Sequence, residues 1–171
     1  LIHRPNDPQA HLLYGLIHEE EGTAVAAVYA FQKAMELDPS LPLRQRTISL
    51  AIQGLRTALD EEKWGPASGL ADLLDTLGAV TGTEKERASA YAEWGRRQVE
   101  GGYYREAVTT LMRARAAGGH PEAEYFLGAA QGALGDAANA ADAFARYIET
   151  AEETVPALLR VGAYYDESYL F

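Results

Sequence analysis

The chain has 171 residues, enough for one domain or a short repeat array, and its 47% apolar content supports a buried core rather than disorder. A net charge of −10 is unsuited to neutralising phosphates, so nucleic acid is not an expected partner. There is no cysteine, which excludes disulfides and thiolate chemistry, and no apolar run approaches the roughly 20 residues of a membrane-spanning helix, so direct membrane insertion is not expected.

The compartment stays open between bacterial cytoplasm and periplasm. Arginine outnumbers lysine 12 to 3, and alanine and glycine are abundant, which fits a GC-rich bacterial source.

Residues 1–7 are expected to be the tail of a preceding repeat, because Pro5 lies 34 residues before Pro39. Residues 8–41 form the first full unit. In it Gly15 is followed seven residues later by Gly22, then after five by Ala27 and after four more by Phe31. The same spacing recurs in residues 88–120 as Gly95, Gly102, Ala107 and Leu111, and in residues 121–154 as Gly128, Gly135, Ala140 and Phe144. The physical content is a helix hairpin. The first glycine lets two backbones approach, the second ends the first helix in a left-handed cap, and the large residue fills the gap.

Residues 42–87 are expected to be an irregular, extended unit. Gly15 and Gly95 are 80 residues apart where two regular repeats span 68, leaving twelve extra residues. Its hairpin is expected near 41–59 and 64–77, with Trp64, Ala67 and Ala71 in the second helix and the remaining excess in a loop at 78–83. Thr83 and Glu86 read as a capping box for the next helix. Residues 155–171 carry Leu158, Val161, Gly162 and Tyr165 in first-helix spacing. They are expected to be the first helix of an incomplete repeat or a capping helix.

These motifs resemble the tetratricopeptide (TPR) family, whose pattern is W-x2-L-G-x2-Y, then A-x3-F, then P. The first unit reads His11-x2-Tyr14-Gly15-x2-His18, then Ala27-x3-Phe31, and closes on Ala-Met-Glu-Leu-Asp-Pro at residues 34–39. The third reads Tyr91-x2-Trp94-Gly95-x2-Gln98, and the fourth Glu124-x2-Leu127-Gly128-x2-Gln131, where Glu124 departs from the apolar preference. The resemblance implies an all-α fold, a right-handed α-solenoid of stacked antiparallel helix hairpins. It also implies a protein-binding scaffold rather than an enzyme, often within a bacterial multiprotein assembly. Two other readings are a substrate-docking segment of a larger enzyme and a peptide-sensing regulator.

Nothing in the sequence points to chemistry. There is no phosphate-binding glycine loop, dinucleotide fingerprint or nucleophile elbow, and no cofactor is expected. His11 and His18 share a helix face but sit about 10 Å apart, too far to ligate one ion, so no metal is expected. His120 reads as a cap or loop residue.

The resemblance implies that first helices line a concave groove. The groove face lies one residue beyond the packing slots, about 100° around each helix. It comprises Leu12, Leu16 and Glu19; Ile52 and Arg56; Ala92 and Arg96; Tyr125 and Ala129; and Leu159. Relatives that clamp the C-terminal carboxylate of chaperones use lysine and asparagine there, so that specificity is not expected. The expected partner is another protein or peptide, as an amphipathic helix or an apolar extended segment, with Arg56 and Arg96 meeting an acidic residue. Leu12, Leu16, Arg56, Arg96 and Tyr125 are expected on one continuous surface.

Overall fold

A computed structural model describes residues 6–168. Among these the chain forms nine α-helices and no strand: α1 (Pro8–Glu20), α2 (Ala24–Leu37), α3 (Arg44–Asp60), α4 (Trp64–Thr76), α5 (Glu84–Glu100), α6 (Tyr104–Ala116), α7 (Pro121–Ala133), α8 (Ala137–Thr150) and α9 (Thr154–Ser168). Residues 1–5 of the expected leading tail, His3 included, and residues 169–171 lie outside the described residues. The chain divides into two compact units, Leu1–Glu86 and Arg87–Phe171. In the first, α1 packs on α2, α3 on α4, and α2 on α3; in the second, α7 packs on α8 and on α6, and α9 on α8.

The spaced glycines do what their spacing predicts. A Cβ on Gly15 would stand 2.5 Å from Cδ1 of Phe31, one on Gly95 2.5 Å from Cγ of Leu111, and one on Gly128 2.8 Å from Cδ1 of Phe144. Each large side chain therefore lies directly on the bare backbone of the opposing helix. All three glycines are buried, and Phe31, Leu111 and Phe144 are at most 2% exposed. Side-chain-free approach of this kind brings the two axes of a hairpin close and maximises dispersion contact between them.

The turns repeat as closely as the notches. The amide of Thr23 donates to the His18 carbonyl at 2.9 Å, Lys63 to Ala58 at 2.8 Å, Tyr103 to Gln98 at 2.8 Å and Asp136 to Gln131 at 2.9 Å. Each is the six-residue closure of a Schellman cap, which requires one residue in the left-handed region. Gly22, Gly102 and Gly135 supply it with φ of 72°, 78° and 81°, but in the second hairpin the residue is Glu62, at φ 55°.

That turn sets the register of the irregular unit. Counting back from Glu62 as from Gly22, the position of the notch glycine is Leu55, and the position of Phe31 is Ala71. Both are fully buried. The close approach is made one residue earlier: a Cβ on Gly54 of α3 would stand 3.1 Å from Cδ1 of Leu70 on α4, again sixteen residues apart. The extra residues are also spread more widely than the sequence suggests. α3 and α5 each run 17 residues where α1 and α7 run 13. The links at 38–43 and 77–83 are longer than the one at 117–120.

A glutamate held at positive φ carries a conformational penalty that glycine does not, of about 1 kcal/mol. Glu62→Gly is therefore expected to stabilise the chain by up to about 1 kcal/mol. An increase in the urea midpoint with unchanged slope checks this.

Candidate protein-binding surface

In the first unit Gly15 of α1 faces Phe31 of α2, and the next face of α1 shares its surroundings with α3. In the first unit Leu12 and Leu16 pack against the cluster of Ala27, Phe31, Ala34 and Leu43, as does Leu50 of α3. Glu19 accepts from Nε and Nη2 of Arg46, both at 2.7 Å, and the same guanidinium lies 5.7 Å from the Phe31 ring centre. Farther around α1 the apolar character persists into solvent. Leu13 is 60% exposed, Tyr14 43% and Ile17 45%. Leu13, Leu16, Ile17, Glu19, Glu20 and Arg46 line one open cavity, an apolar floor with two carboxylates and one guanidinium on its rim. Ile52 is half-buried, and the exposed Arg56 pairs with Glu86 at 3.1 Å.

In the second unit Ala92 is buried. Arg96 is partly exposed and held between two carboxylates on its own helix, with Nε 3.0 Å from Glu93 and Nη1 2.7 Å from Glu100. The hydrogen bond to Glu93 is the main influence keeping its guanidinium above the ordinary arginine value; burial opposes it, and Glu100 adds to it. Tyr125 carries the Arg160 guanidinium 3.8 Å from its ring centre and packs beside Phe144 and Tyr147. One nitrogen of Arg160 reaches both oxygens of Glu122, at 2.7 and 2.8 Å, and the Tyr147 hydroxyl at 3.2 Å. Burial works against the Arg160 charge, but Glu122 and Tyr147 outweigh it and raise its pKa. Ala129 is buried, and its carbonyl accepts from the Tyr164 hydroxyl at 3.2 Å. The bare backbone of Gly132 makes room for that hydroxyl. Leu159 is 70% exposed.

Leu12, Leu16 and Glu19 therefore share a face in the first unit, and Tyr125 and Ala129 share one in the second. In both, a following first helix contributes much of the surroundings. The residues that sequence reasoning missed are the partners on that helix, Arg46 and Arg160, and the outward Leu13 and Ile17. The signal for the first pair was an acid and an arginine on successive first helices. For the second it was a further apolar stripe on α1 beyond the one used by the notch.

The departure of Glu124 from the repeat pattern has a direct cause. It is 6% exposed and forms a two-pronged bond with Arg115 of α6, at 2.7 and 2.5 Å. A desolvated carboxylate survives where a guanidinium matches it so. His18 is used within its turn: its Nδ1 lies 2.7 Å from the Thr23 hydroxyl, and its ring meets Tyr14 edge-on at 4.2 Å. Among the described residues no three His, Cys, Asp or Glu side chains gather as metal ligands would, and no helix is long and apolar enough to cross a membrane.

No family model matches the chain, and no curated protein matches it. Among solved structures, the chain is similar to the crystal structure of a thermophilic TPR protein of Thermus thermophilus. The two are 18% identical, over 94% of this chain and 89% of that one, with a TM-score of 0.40. By their glycine notches, Schellman turns and antiparallel pairing, the hairpins of this chain make a TPR-like, all-α helical repeat fold.

Arg160 joins α9 to α7 by charge and by ring stacking. Its removal is expected to loosen α9 first. Arg160→Ala should cost about 1–2 kcal/mol, discounted for its partial exposure. Hydrogen exchange should show protection lost in α9 while the amides of α7 keep theirs.

Proposed function

We propose that the chain is a protein-interaction scaffold that holds an amphipathic helix or an apolar extended segment of another protein. The observation that carries this reading is the open cavity of the first unit. Leu13, Tyr14 and Ile17 leave large apolar surface in water on a helix whose inner face is already satisfied by Phe31 and Leu43. Contiguous exposed apolar surface with a polar rim is the physical mark of a docking site. The spacing of Leu13 and Ile17, one helical turn apart, suits an apolar stripe on the ligand. Glu20 at the rim favours a lysine or arginine beside that stripe.

In the second unit Arg96 is the candidate contact for an acidic residue of the ligand, which would exchange with Glu93 or Glu100. Exposed pairs of this kind are worth little individually, so the exchange costs little. Arg56, paired with Glu86, offers the same possibility in the first unit. Tyr125 and Ala129 contribute as the wall against which α9 is seated, and Leu159 as an exposed apolar contact beyond it. The proposed setting is a bacterial multiprotein assembly, a reading that rests on composition and on the TPR-like fold.

The test is comparative affinity capture with the parent chain and with Leu13→Asp, Ile17→Asp and Arg96→Glu. A partner retained by the parent should be lost from the two α1 variants, with an affinity loss of about 2 kcal/mol or more if the cavity is the energetic centre. Arg96→Glu should weaken it less and in a salt-dependent way. Helical circular dichroism must be unchanged in all three. Retention of the same partner at parental affinity by both α1 variants would contradict the proposal.

A further inference from the structure

Two large apolar side chains of the second unit stand in water at slots that other hairpins fill differently. Leu134 immediately precedes the left-handed residue of its turn, where the other turns hold Glu21, Glu61 and Gly101. Met112 immediately follows the residue that covers the notch glycine, where the first and fourth hairpins hold Gln32 and Ala145. Leu134 is 43% exposed and Met112 52%. Closing a hairpin needs neither of them, yet the fold brings both to one cavity of about 460 Å³.

That cavity is a groove between the second helices α6 and α8, floored by the end of α7. Val108 and Met112 come from α6, Gln131 and Leu134 from the end of α7, and Asp136 and Asn139 from the start of α8. α9 follows α8 and packs on it, so both walls lie inside the array. Asp136 is already occupied in capping α8 through Asn139. Two other polar groups are not occupied. The guanidinium of Arg105, exposed at the rim, has no hydrogen bond or ion pair among the described residues. The amide oxygen of Gln131 is shut from solvent without a donor, and it gains by turning to one in the cavity. Arg115 also lines this cavity, and its partner Glu124 lines a second one of about 300 Å³, beside Arg146 and Thr150. The groove thus continues past that ion pair along α8, whose 14 residues span about 21 Å.

We propose that this groove holds an extended segment of another protein, about six residues long at about 3.3 Å each, in which a large apolar side chain adjoins a carboxylate. The apolar side chain rests on Val108, Met112 and Leu134. The carboxylate pairs with Arg105, and an N–H of the segment donates to Gln131. Charge selects the sign. The chain carries −10 overall, but α6 holds three arginines against one glutamate, so this wall is a basic strip on an acidic protein and draws an acidic ligand. An extended chain suits the groove better than a helix, because it can enter one cavity and still cross the Arg115–Glu124 pair. The surface belongs to the second unit and stands apart from the cavity on α1.

The probe is a displayed library of random seven-residue peptides, panned against the whole chain. Peptides with Asp or Glu beside Leu, Ile, Met or Phe should be enriched. Each should bind one-to-one, and more weakly as salt rises. The variants copy residues from the same slots of other hairpins, which keeps the fold: Leu134→Glu after Glu21, Met112→Gln after Gln32 and Arg105→Ala after Ala138. The first two should each weaken binding at least about tenfold, and Arg105→Ala should remove most of the salt dependence. Leu13→Asp on α1 should change nothing. Parental affinity in both Leu134→Glu and Met112→Gln would overturn the inference, as would a consensus without an acid or no enrichment at all. Loss of binding with Leu13→Asp alone would place the peptides on α1, overturning this inference and leaving the α1 proposal standing. A dimer that Leu134→Glu dissociates would put a second copy in the groove and overturn it as well.

Discussion

The hairpins of this chain share one constraint: two helix backbones approach most closely where one of them presents no side chain. In this chain that constraint is met by a glycine on the first helix and a large apolar residue sixteen positions later on the second. Phe31 on Gly15, Leu111 on Gly95 and Phe144 on Gly128 are the same joint made three times. The turn follows from it, because a hairpin held that closely must reverse within three residues, and the Schellman closure does so with one left-handed residue. What remains of each first helix is then free to meet the next one or to face solvent.

The part of the fold that was legible in the sequence is the part in which this joint is written in glycine. An all-α repeat of antiparallel hairpins could be read from three copies of one spacing. The second hairpin hid because its glycine, Gly54, stands eight residues before the left-handed turn residue where the others stand seven, and because Glu62 replaces the marker glycine of the turn. A reading keyed to one fixed spacing cannot see that shift.

The candidate surface was legible to a lesser degree, for a different reason. A helix face in a stacked array is shared between ligand and neighbour, and sequence periodicity gives the face without giving its occupant. Tyr125 illustrates this. The spacing places it one residue beyond the packing slot of α7, but the arginine that covers its ring lies on a helix 35 residues away. Conversely, the exposure of Leu13 and Ile17 becomes visible only once Leu12 and Leu16 are seen to satisfy the adjoining core. The electrostatic pairs Glu19–Arg46 and Glu122–Arg160 are likewise products of stacking rather than of any local motif.

The account stands on the glycine joint, and the pair of Gly95 and Leu111 supplies its sharpest test. A double-mutant cycle on Gly95 and Leu111, followed by denaturant unfolding, measures it directly. Gly95→Leu alone should cost about 1–3 kcal/mol by overpacking, and Leu111→Ala alone about 2–5 kcal/mol by cavity formation. Together they move the bulk from α6 to α5. The double variant should then recover at least about 1 kcal/mol relative to the sum of the singles. Strict additivity, with no recovery, would mean that the two residues do not share a joint and would contradict the account.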